Sequence, residues 1–297
     1  MTINQALKKS QEKLKENINN YQKEALLIAS FVLNLCPEKI ITQLDKKISL
    51  SQFKKIIKLS KKRSQNWPLA YLTGIKSFYN LDFMINKNTL IPRPESELII
   101  DQITKNNFNA SDQKKIIIDI GTGSGCLIIS IASILKNKKN IFFYAIDVSK
   151  KTLKMAKKNA KKHKLRKNIK FLKGDLLKPI RKKLRNIKKE NHIIIMANLP
   201  YLTKKEIEKE ASIKKEPRRA LYGGRDGLKY YKELWSQIKK IKNKNNNINF
   251  TVYQEINDWQ KEDLEKMIIK KMKGFSLQNE IIKDLKNQQR LLISKIQ

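Results

Sequence analysis

Between Gln5 and Gln65, apolar positions recur at intervals of three and four residues. Two such stripes are Ala25, Ile28, Val32 and Leu35, and then Phe53, Ile56, Ile57 and Ser60. Residues with this spacing share one face of an α-helix, and an apolar face is buried against a neighbouring element. We therefore expect a small helical domain at residues 1–68.

The pattern changes at Trp67-Pro68. Residues 71–85 contain short β-favouring pieces around Gly74 and Asn80, which predict a β-hairpin. In the following Ile-Pro-Arg-Pro-Glu stretch, each residue before a proline is driven out of the helical region, so the chain should enter the next helix in extended form. We expect a hairpin linker at residues 69–92 and a second domain at residues 93–297.

Beyond Lys115, apolar strand-like runs alternate with amphipathic segments of helical period. The strand-like runs are Ile116–Ile120, Ile141–Ile146, Ile169–Leu172, His192–Ala197, Ile248–Tyr253, Phe275–Ile282 and Arg290–Lys295. The helical segments include Val148–His163, Asp226–Ile241 and Trp259–Met272. Apolar strands separated by helices predict an α/β fold with a parallel sheet covered on both faces. Only a polar loop separates the last two runs, so they should form an antiparallel hairpin.

The net charge of the chain bears on its partners. Lys and Arg outnumber Asp and Glu by 65 to 27, which gives a net charge of +38 and would attract phosphate-rich partners. The lysines are spread over the whole chain and accompany frequent Ile and Asn. A compositional bias and a functional basic surface both stay open as explanations. The tract Lys239–Asn247 is expected to be a solvated loop.

The sequence gives little support to disulfide, metal or membrane chemistry. Cys36 and Cys126 lie far apart, and His163 and His192 are isolated, so we expect neither a disulfide framework nor a metal site. The N-terminus lacks the apolar core of a signal peptide, and no apolar run approaches the ~20 residues of a membrane span. We expect a soluble, cytoplasmic protein.

The first strand beyond Lys115 runs into a glycine-rich turn, Asp119-Ile-Gly-Thr-Gly-Ser-Gly125. Glycines let a backbone turn sharply and approach a ligand at the start of a helix. The spacing is not that of the dinucleotide-binding fingerprint, whose last glycine would fall on Cys126 or Ile128. A P-loop is excluded because no Gly-Lys-Ser/Thr follows. A turn without any ligand is the alternative.

Acidic residues follow the next two strands. Asp147 ends the second strand, at a position from which a carboxylate can hold the two hydroxyls of a ribose; capping the helix near Ser149 is the alternative. Asp175 follows the third strand and could accept from an adenine amino group while Leu176 packs on the base; alone it would be a turn aspartate. Ligands of open α/β sheets bind at such strand ends.

The fourth strand runs into Asn198-Leu-Pro-Tyr201. The Asn198 amide oxygen and a neighbouring backbone carbonyl could accept both hydrogens of a substrate NH2 group, while the proline fixes the geometry and Tyr201 lies flat against a planar substrate. A conjugated nitrogen is weakly nucleophilic, so these bonds would orient its lone pair toward an electrophile. A chance Asn-x-Pro turn is the alternative, although the strand-end location disfavours it.

Together, the glycine turn, Asp147 and Asn198-x-Pro-Tyr201 resemble the class I S-adenosylmethionine-dependent methyltransferases that act on amide or exocyclic amino nitrogens. Residues 90–98 and 216–228 resemble, more narrowly, the peptide chain release factor glutamine methyltransferases, and the resemblance spans nearly the whole chain. It implies a seven-stranded, mostly parallel, Rossmann-like sheet and an N-terminal helical domain that holds the release factor. It also implies methylation of the glutamine in a Gly-Gly-Gln loop.

The resemblance implies roles for individual residues. The cofactor S-adenosylmethionine would be bound by Gly121, Thr122, Gly123, Ser124, Gly125, Asp147, Asp175, Leu176 and Asn198. The glutamine pocket would be formed by Asn198, Leu199, Pro200 and Tyr201, of which Asn198, Pro200 and Tyr201 would be catalytic. Arg93 would line the substrate entrance or form a linker salt bridge, and Glu216 and Asp226 are expected to shape loops.

One position departs from the family pattern Asn-Pro-Pro-Tyr, since Leu199 replaces the first proline. Leu199 precedes Pro200 and so keeps a bias to extended geometry, but some rigidity should be lost. Asn-Leu-Pro-Tyr also resembles the ribosomal RNA adenine dimethyltransferases, which keeps an N6-adenine methyltransferase acting on RNA or DNA as an alternative. Those enzymes place their helical domain after the catalytic one, which is the opposite order. Two further alternatives are a glutamine methyltransferase acting on a ribosomal protein and a non-catalytic nucleic-acid-binding protein.

We therefore expect a monomeric enzyme that transfers a methyl group in line from S-adenosylmethionine to a glutamine amide nitrogen. Neither a metal nor a covalent intermediate nor a membrane is required. The extra proton would leave after attack, so no strong general base is nominated. Release factors are the expected protein partners, and the net charge allows weak electrostatic association with RNA or the ribosome.

Overall fold

The computed structural model describes residues 1–106, 114–187 and 191–297, with the side chain of residue 106 excluded. Residue contacts divide the chain into two compact units. The helical unit comprises residues 1–75 and 210–215, and the sheet unit comprises residues 76–209 and 216–297. The predicted domain boundaries after residues 68 and 92 stay predictions.

The helical unit is built from short helices, and those that follow Thr2 and Ser49 begin with a reciprocal side-chain cap. Its elements are α1 (Ile3–Leu14), α2 (Tyr21–Leu33), α3 (Pro37–Ile41), α4 (Leu50–Ser64), α5 (Leu69–Thr73) and a 3₁₀ turn (Ile213–Lys215). Thr2 and Ser49 accept from the backbone N–H groups of Gln5 and Gln52, whose side chains accept from the cap N–H groups in return. These reciprocal bonds satisfy N–H groups that would otherwise lack partners at the helix start.

The apolar stripes of these helices face one another and form the core of the helical unit. Ala25, Ile28 and Ile56 are buried there, with Phe53 packed against them. The polar member of the second stripe, Ser60, is buried as well and shares a hydrogen bond with Ser10. The predicted helical character of this segment is confirmed.

A hairpin follows, with β1 at Ile75–Phe78 and β2 at Leu81–Met84. The expectation of β-structure from Tyr71 onward is wrong at its start, because Leu69–Thr73 forms α5. Gly74 has a φ of +75°, the left-handed conformation that ends a helix without steric cost. The change from helix to strand therefore occurs at this glycine.

The sheet unit alternates strands and helices from Pro94 to the C-terminus. Its helices are α6 (Glu97–Asn106), α7 (Cys126–Leu135), α8 (Lys150–Lys162), α9 (Arg181–Arg185), α10 (Lys204–Lys209), α11 (Arg218–Leu221), α12 (Lys229–Lys242) and α13 (Lys261–Lys271). Its strands are β3 (Lys115–Ile120), β4 (Ile141–Asp147), β5 (Ile169–Lys173), β6 (His192–Ala197), β7 (Asn249–Glu255), β8 (Leu277–Lys283) and β9 (Gln289–Ile296). The 3₁₀ turns are Pro94–Ser96, Lys178–Ile180 and Asp258–Gln260.

Within the described ranges, the main sheet has seven strands in the order β5-β4-β3-β6-β7-β9-β8. Strands β3 to β7 run parallel, and β9 pairs antiparallel with β7 and β8. The mostly parallel sheet and the terminal antiparallel hairpin are both confirmed. The chain leaves β3 for β4 and β5 on one side and then returns to β6 on the other, so β3 and β6 flank the switch point.

The register of the central strands places three predicted site residues at one level. Ile120, the last residue of β3, pairs with Ile146 of β4 and with Ala197 of β6. The residues next in sequence are Gly121, Asp147 and Asn198, so all three leave the carboxyl edge of the sheet side by side. Every residue of β3 is buried, because helices cover both faces of the sheet.

The Lys- and Asn-rich tract differs from the solvated loop that its composition predicts. Helix α12 continues to Lys242, which is fully buried, and its ammonium donates to the carbonyl oxygens of Asn246 and Ile248. Burial lowers the pKa of Lys242, and the two carbonyl bonds supply the polar partners that a buried ammonium needs. In residues 1–106, 114–187 and 191–297, no helix is long and apolar enough to cross a membrane.

Candidate active site

A cavity of about 400 Å³ opens at the carboxyl ends of β3, β4 and β6 in the sheet unit. The predicted residues that line it are Gly121, Gly123, Asp147, Asp175, Leu176, Asn198, Leu199 and Pro200. The predicted residues that do not line it are Thr122, Ser124, Gly125, Tyr201 and Arg93. The structure therefore brings most of the predicted set to one place and puts the rest behind or beside it.

The glycine turn forms one wall of the cavity with its backbone. The N–H groups of Gly121 and Thr122 both donate to the carbonyl oxygen of Ile146, at 2.9 and 3.0 Å, which ties the turn to β4. Gly125, at the start of α7, has a φ of +84°, and a Cβ there would lie 2.9 Å from Cδ1 of Ile129. Only glycine allows this close packing of the turn on the helix.

The buried side chains of Asp119 and Thr122 support the turn from within the protein. The Thr122 hydroxyl donates to the Asp119 carboxylate at 2.6 Å, and both side chains are buried. Burial raises the pKa of Asp119 to about 7, although the hydrogen bond from Thr122 opposes this rise. Asp119 acts on the shape of the turn, since it does not line the cavity.

Asp147 presents its carboxylate to the cavity between two backbone donors. Oδ1 accepts from the N–H of Ser149 at 2.8 Å, and Oδ2 accepts from the N–H of Gly123 at 3.2 Å. The cap of α8 is Ser149, which accepts from Thr152, so Asp147 is not itself the helix cap. Burial raises the pKa of Asp147, and the two backbone bonds and the charge of Arg219 oppose the rise.

The Asp147 carboxylate fits a ligand that carries two hydroxyl groups. Each carboxylate oxygen can accept two hydrogen bonds, and one bond to each is already made by the backbone. One acceptor position per oxygen is left toward the cavity, which matches the pair of hydroxyls on a ribose. The glycine backbone beside it leaves room for a ligand to come close.

Asp175 and Leu176 lie further along the same wall. Asp175 pairs with Lys178 at 2.7 Å, and the side chains of both are largely exposed. Leu176 has a φ of +50°, and its buried side chain belongs to the core beneath the cavity. Arg219 and Tyr230 are among the lining residues that were not predicted, because neither belongs to a strand-end motif.

Asn198 is held by two hydrogen bonds behind the cavity wall. Its Nδ2 group donates to Oγ of Ser96 and to Oε2 of Glu255, both at 2.8 Å. Ser96 Oγ in turn donates to the same Glu255 oxygen. Both amide hydrogens of Asn198 are thus directed into the protein, and Oδ1 is left for the cavity.

Tyr201 belongs to the same network. Its hydroxyl donates to Oε1 of Glu255 at 2.9 Å, and burial beside that carboxylate raises the pKa of Tyr201 well above its usual value. The aromatic ring packs against the core and does not line the cavity, whereas Tyr230 does. The predicted stacking of Tyr201 on a substrate has no support from this placement and stays a prediction.

Two glycines of the 216–228 segment brace the Asn198-Leu-Pro-Tyr201 turn. A Cβ at Gly223 would lie 2.5 Å from the carbonyl oxygen of Pro200. At Gly227 it would lie 2.2 Å from Nε2 of Gln260 and 2.3 Å from the carbonyl oxygen of Tyr201. Gln260 itself donates to that carbonyl at 3.0 Å. The 216–228 segment therefore packs directly on the backbone of the turn.

Leu199 contributes apolar packing in place of the proline of the family pattern. Its side chain is buried in the core against Gly121, where a Cβ would lie 3.3 Å from Leu199 Cδ2. Next to it, the Tyr231 hydroxyl donates to the backbone carbonyl oxygen of Glu255. The departure from Asn-Pro-Pro-Tyr therefore replaces the stiffness of a proline ring with apolar packing.

Arg93 forms a salt bridge, which is one of the two roles predicted for it. Its guanidinium pairs with Glu216, and the second Glu216 oxygen accepts from the N–H of Ile91 at 3.0 Å. The Glu216 side chain is 2% exposed and that of Arg93 is 31% exposed. Glu216 thus fastens the 216–228 segment to the proline-rich entry, and Asp226 shapes the loop by accepting from the N–H of Leu228 at 3.1 Å.

Glu255 and Ser96 are the site residues that sequence reasoning missed most clearly. Glu255 ends β7, two residues beyond the apolar run that was assigned as a strand. Ala197 pairs with Gln254, so the next residues, Asn198 and Glu255, leave the sheet at the same level. An acidic residue at the carboxyl end of a strand beside the switch point was an available signal. Ser96 carried no such signal, since only the folded chain brings it beside β7.

Comparison with known proteins gives an independent result. A Methyltransferase domain family matches residues 111–272, which is more than half of the chain, and a PrmC N-terminal domain family matches residues 5–74. A release factor glutamine methyltransferase of Dictyoglomus turgidum is 37% identical over 80% of this chain and 78% of its own length. This chain belongs to the release factor glutamine methyltransferase family.

Other members of this family match over even more of the chain. The protein from Borreliella burgdorferi is 35% identical over 91% of this chain and 87% of its own length. The protein from Bacillus subtilis is 32% identical over 99% of this chain and 98% of its own length. Both are release factor glutamine methyltransferases by name, and the resemblance inferred from the motifs is confirmed.

A solved structure supports the fold of the family member described here. The hMettl16 catalytic domain in complex with the MAT2A 3′UTR hairpin 1 superposes with a TM-score of 0.51, covering 80% of this chain and 79% of that one. The two chains are only 13% identical, so the likeness concerns the fold alone. In the described parts of the chain, no group of three or more His, Cys, Asp or Glu side chains could hold a metal ion.

Proposed function

We propose that this protein transfers a methyl group from S-adenosylmethionine to the side-chain amide nitrogen of the glutamine in the Gly-Gly-Gln loop of peptide chain release factors. Family membership supports the reaction class and the substrate. The observation that carries the proposal is the orientation of Asn198, whose amide hydrogens are both bound within the protein so that Oδ1 is left at the cavity wall.

The residues that would hold the cofactor lie on one side of the cavity. Asp147 would accept from the two ribose hydroxyls, since each of its oxygens keeps one acceptor position. The backbone of Gly121 and Gly123 would run along the methionine end, and Asp175 and Leu176 would lie near the adenine. When bound, S-adenosylmethionine supplies a methyl group on a positively charged sulfur.

Asn198 would orient the substrate nitrogen. An amide nitrogen is a poor nucleophile because its lone pair is delocalised onto the carbonyl group. Oδ1 of Asn198 and the backbone carbonyl of Leu199 would accept its two hydrogens and thereby turn its lone pair toward the methyl donor. No side chain of the described site is assigned to remove the proton before attack.

Buried neighbours support the turn that carries Asn198. Leu199 and Tyr231 are buried beside Asn198, and Gly223 packs directly on the carbonyl of Pro200. These buried neighbours hold the turn in a fixed geometry.

A single transfer experiment tests this function. Labelled S-adenosylmethionine is offered with purified release factor, with a release factor whose loop glutamine is replaced by alanine, with a ribosomal protein and with ribosomal RNA. We expect label on the intact release factor alone, at the loop glutamine, as mapped by mass spectrometry of its peptides. Label on RNA or on the ribosomal protein, with none on the release factor, would contradict the proposal.

A further inference from the structure

Glu255 lies at the centre of the hydrogen bonds that hold Asn198, yet it does not line the cavity. Its side chain is 2% exposed at the end of β7. Oε2 accepts from Asn198 at 2.8 Å and from Ser96, and Oε1 accepts from Tyr201 at 2.9 Å. A buried carboxylate that receives three side-chain donors is costly to build unless its position serves the fold or the reaction.

The direction of each hydrogen bond around Glu255 follows from chemistry. Ser96 has a single hydroxyl hydrogen, which goes to the Glu255 carboxylate because charged acceptors form the stronger bond. Ser96 Oγ can then only accept from Asn198. An ionised carboxylate can also only accept. Ser96 and Glu255 are therefore both acceptors, and the Asn198 amide must present its NH2 group to them.

We propose that Glu255 is a positioning residue that fixes the orientation of the Asn198 amide, so that Oδ1 and not Nδ2 faces the substrate nitrogen. The inference rests on the function proposed above, because that reaction needs an acceptor at this place. With the amide reversed, Nδ2 would point a hydrogen at the NH2 group of the substrate and repel it. The carboxylate thus acts on the substrate only through Asn198.

The charge of Glu255 sets the strength of this control. The groups that face it are the hydroxyls of Ser96, Tyr201 and Tyr231, the Asn198 amide, the Arg290 guanidinium, the Glu95 carboxylate and the Cys126 thiol. Burial raises the pKa of Glu255, while the bonds from Ser96 and Tyr201 and the charge of Arg290 oppose this rise. A protonated Glu255 could donate to Asn198 Oδ1 and so stabilise the reversed amide.

The sign of the pH effect follows directly. Glu255 is ionised, and the amide correctly oriented, above its pKa in the folded protein. As the pH falls through that raised pKa, the carboxyl group becomes neutral and kcat should fall about tenfold per pH unit below it. Saturating cofactor removes any contribution from weaker binding at Asp147, whose pKa is raised by burial as well.

The decisive variant is Glu255→Gln, which keeps the shape of the side chain and removes its charge. Its amide NH2 can donate to Asn198 Oδ1, so we expect kcat for release factor methylation to fall on the order of 100-fold. The dissociation constant of S-adenosylmethionine, measured by calorimetry, should change less than about twofold because Glu255 does not line the cavity. The loss of kcat at low pH that is expected for the wild type should be absent.

Gln254→Met is the matched control, since Gln254 is the preceding residue of β7 and is fully buried. Its side chain accepts from Nε1 of Trp235 at 3.0 Å and donates to Ser294 at 3.3 Å, away from Asn198. This variant should lower the melting temperature without a change in kcat or in the pH profile. A kcat loss as large as that of Glu255→Gln would show that any damage to β7 has the same effect, and would overturn the inference.

Ser96→Ala gives a second test if Glu255→Gln does not fold. The change removes one acceptor of Asn198 and leaves the Glu255 bond, so we expect about a tenfold lower kcat with unchanged cofactor affinity. Full activity of a folded Glu255→Gln would overturn the inference, provided that the wild type labels the release factor. If Glu255→Gln does not fold, full activity of Ser96→Ala would overturn it under the same condition. Absence of label with the wild type itself would instead refute the proposed function.

Discussion

Two buried carboxylates, Asp147 at the end of β4 and Glu255 at the end of β7, stand on opposite sides of the central strands β3 and β6. Burial raises the pKa of both. The donors to Asp147 are backbone N–H groups and leave acceptor positions toward the cavity. The donors to Glu255 are side chains, Ser96, Asn198 and Tyr201, and turn inward.

The difference shows how similar strand ends serve different purposes. A carboxylate fixed by the backbone alone keeps its remaining lone pairs for a ligand, so Asp147 suits direct binding. A carboxylate that collects side-chain donors fixes their orientation, so Glu255 suits control of Asn198. The Asp147 side of the cavity should therefore determine cofactor affinity, and the Asn198 side should determine turnover.

The largest expected effect separates these two sides most directly. Asn198→Ala removes the acceptor for the substrate nitrogen, so kcat should fall on the order of 100- to 1,000-fold. The dissociation constant of S-adenosylmethionine should stay within about twofold, because Asp147 and the glycine turn are unchanged. Single-turnover transfer and calorimetry measure the two quantities. Equal losses in kcat and in cofactor affinity would contradict the separate roles of the Asp147 side and the Asn198 side.

Asp147→Ala should show the opposite behaviour. Loss of the hydrogen bonds to a charged acceptor costs about 1.5–3 kcal/mol, so cofactor affinity should weaken about 10- to 100-fold in calorimetry. At saturating cofactor, kcat should change little. Asp175→Ala is the control, because Asp175 lines the same wall but is exposed and paired with Lys178, and a smaller effect is expected. Unchanged affinity in Asp147→Ala would remove its assigned role.

Gly227→Ala tests whether the bracing segment holds the Asn198 side in place. An added Cβ would collide with Gln260 and with the carbonyl of Tyr201, so kcat should fall about tenfold while cofactor affinity is kept. Gly274→Ala is the matched control: its φ of +96° is also left-handed, but nothing lies within 4 Å of its Cβ. Equal kcat losses in the two variants would attribute the effect to backbone strain alone.

The smallest expected effect comes from Leu199→Pro, which restores the family pattern. The ring would stiffen the turn but would remove the packing of the Leu199 side chain against Gly121. We expect less than about a threefold change in kcat and a loss of about 1 kcal/mol in the free energy of unfolding. Denaturant titration measures the free energy of unfolding. A large gain in kcat would show that Leu199 holds Asn198 less well than the proline does.

Much of the sheet unit could be predicted from the sequence because its signals are local. Apolar runs such as Ile116–Ile120 and His192–Ala197 are long enough to mark strands, and the glycine turn and Asp147 fall where strands end. The short helix at Leu69–Thr73 was missed because its aromatic and apolar residues suit strand and helix alike. Lys242 was misjudged because composition predicts exposure, while a following turn supplies its carbonyl partners.

The sequence by itself determined the strands, the glycine turn, the Asn198-Leu-Pro-Tyr201 segment and the membership of a methyltransferase family, since each depends on residues close together in the chain. Only the tertiary structure decided which way the Asn198 amide points. Ser96, Asn198 and Glu255 are separated by about a hundred and by more than fifty residues, and each hydrogen bond requires contact within about 3 Å. No local pattern can specify such contacts, because they exist only after β6 and β7 have paired in register.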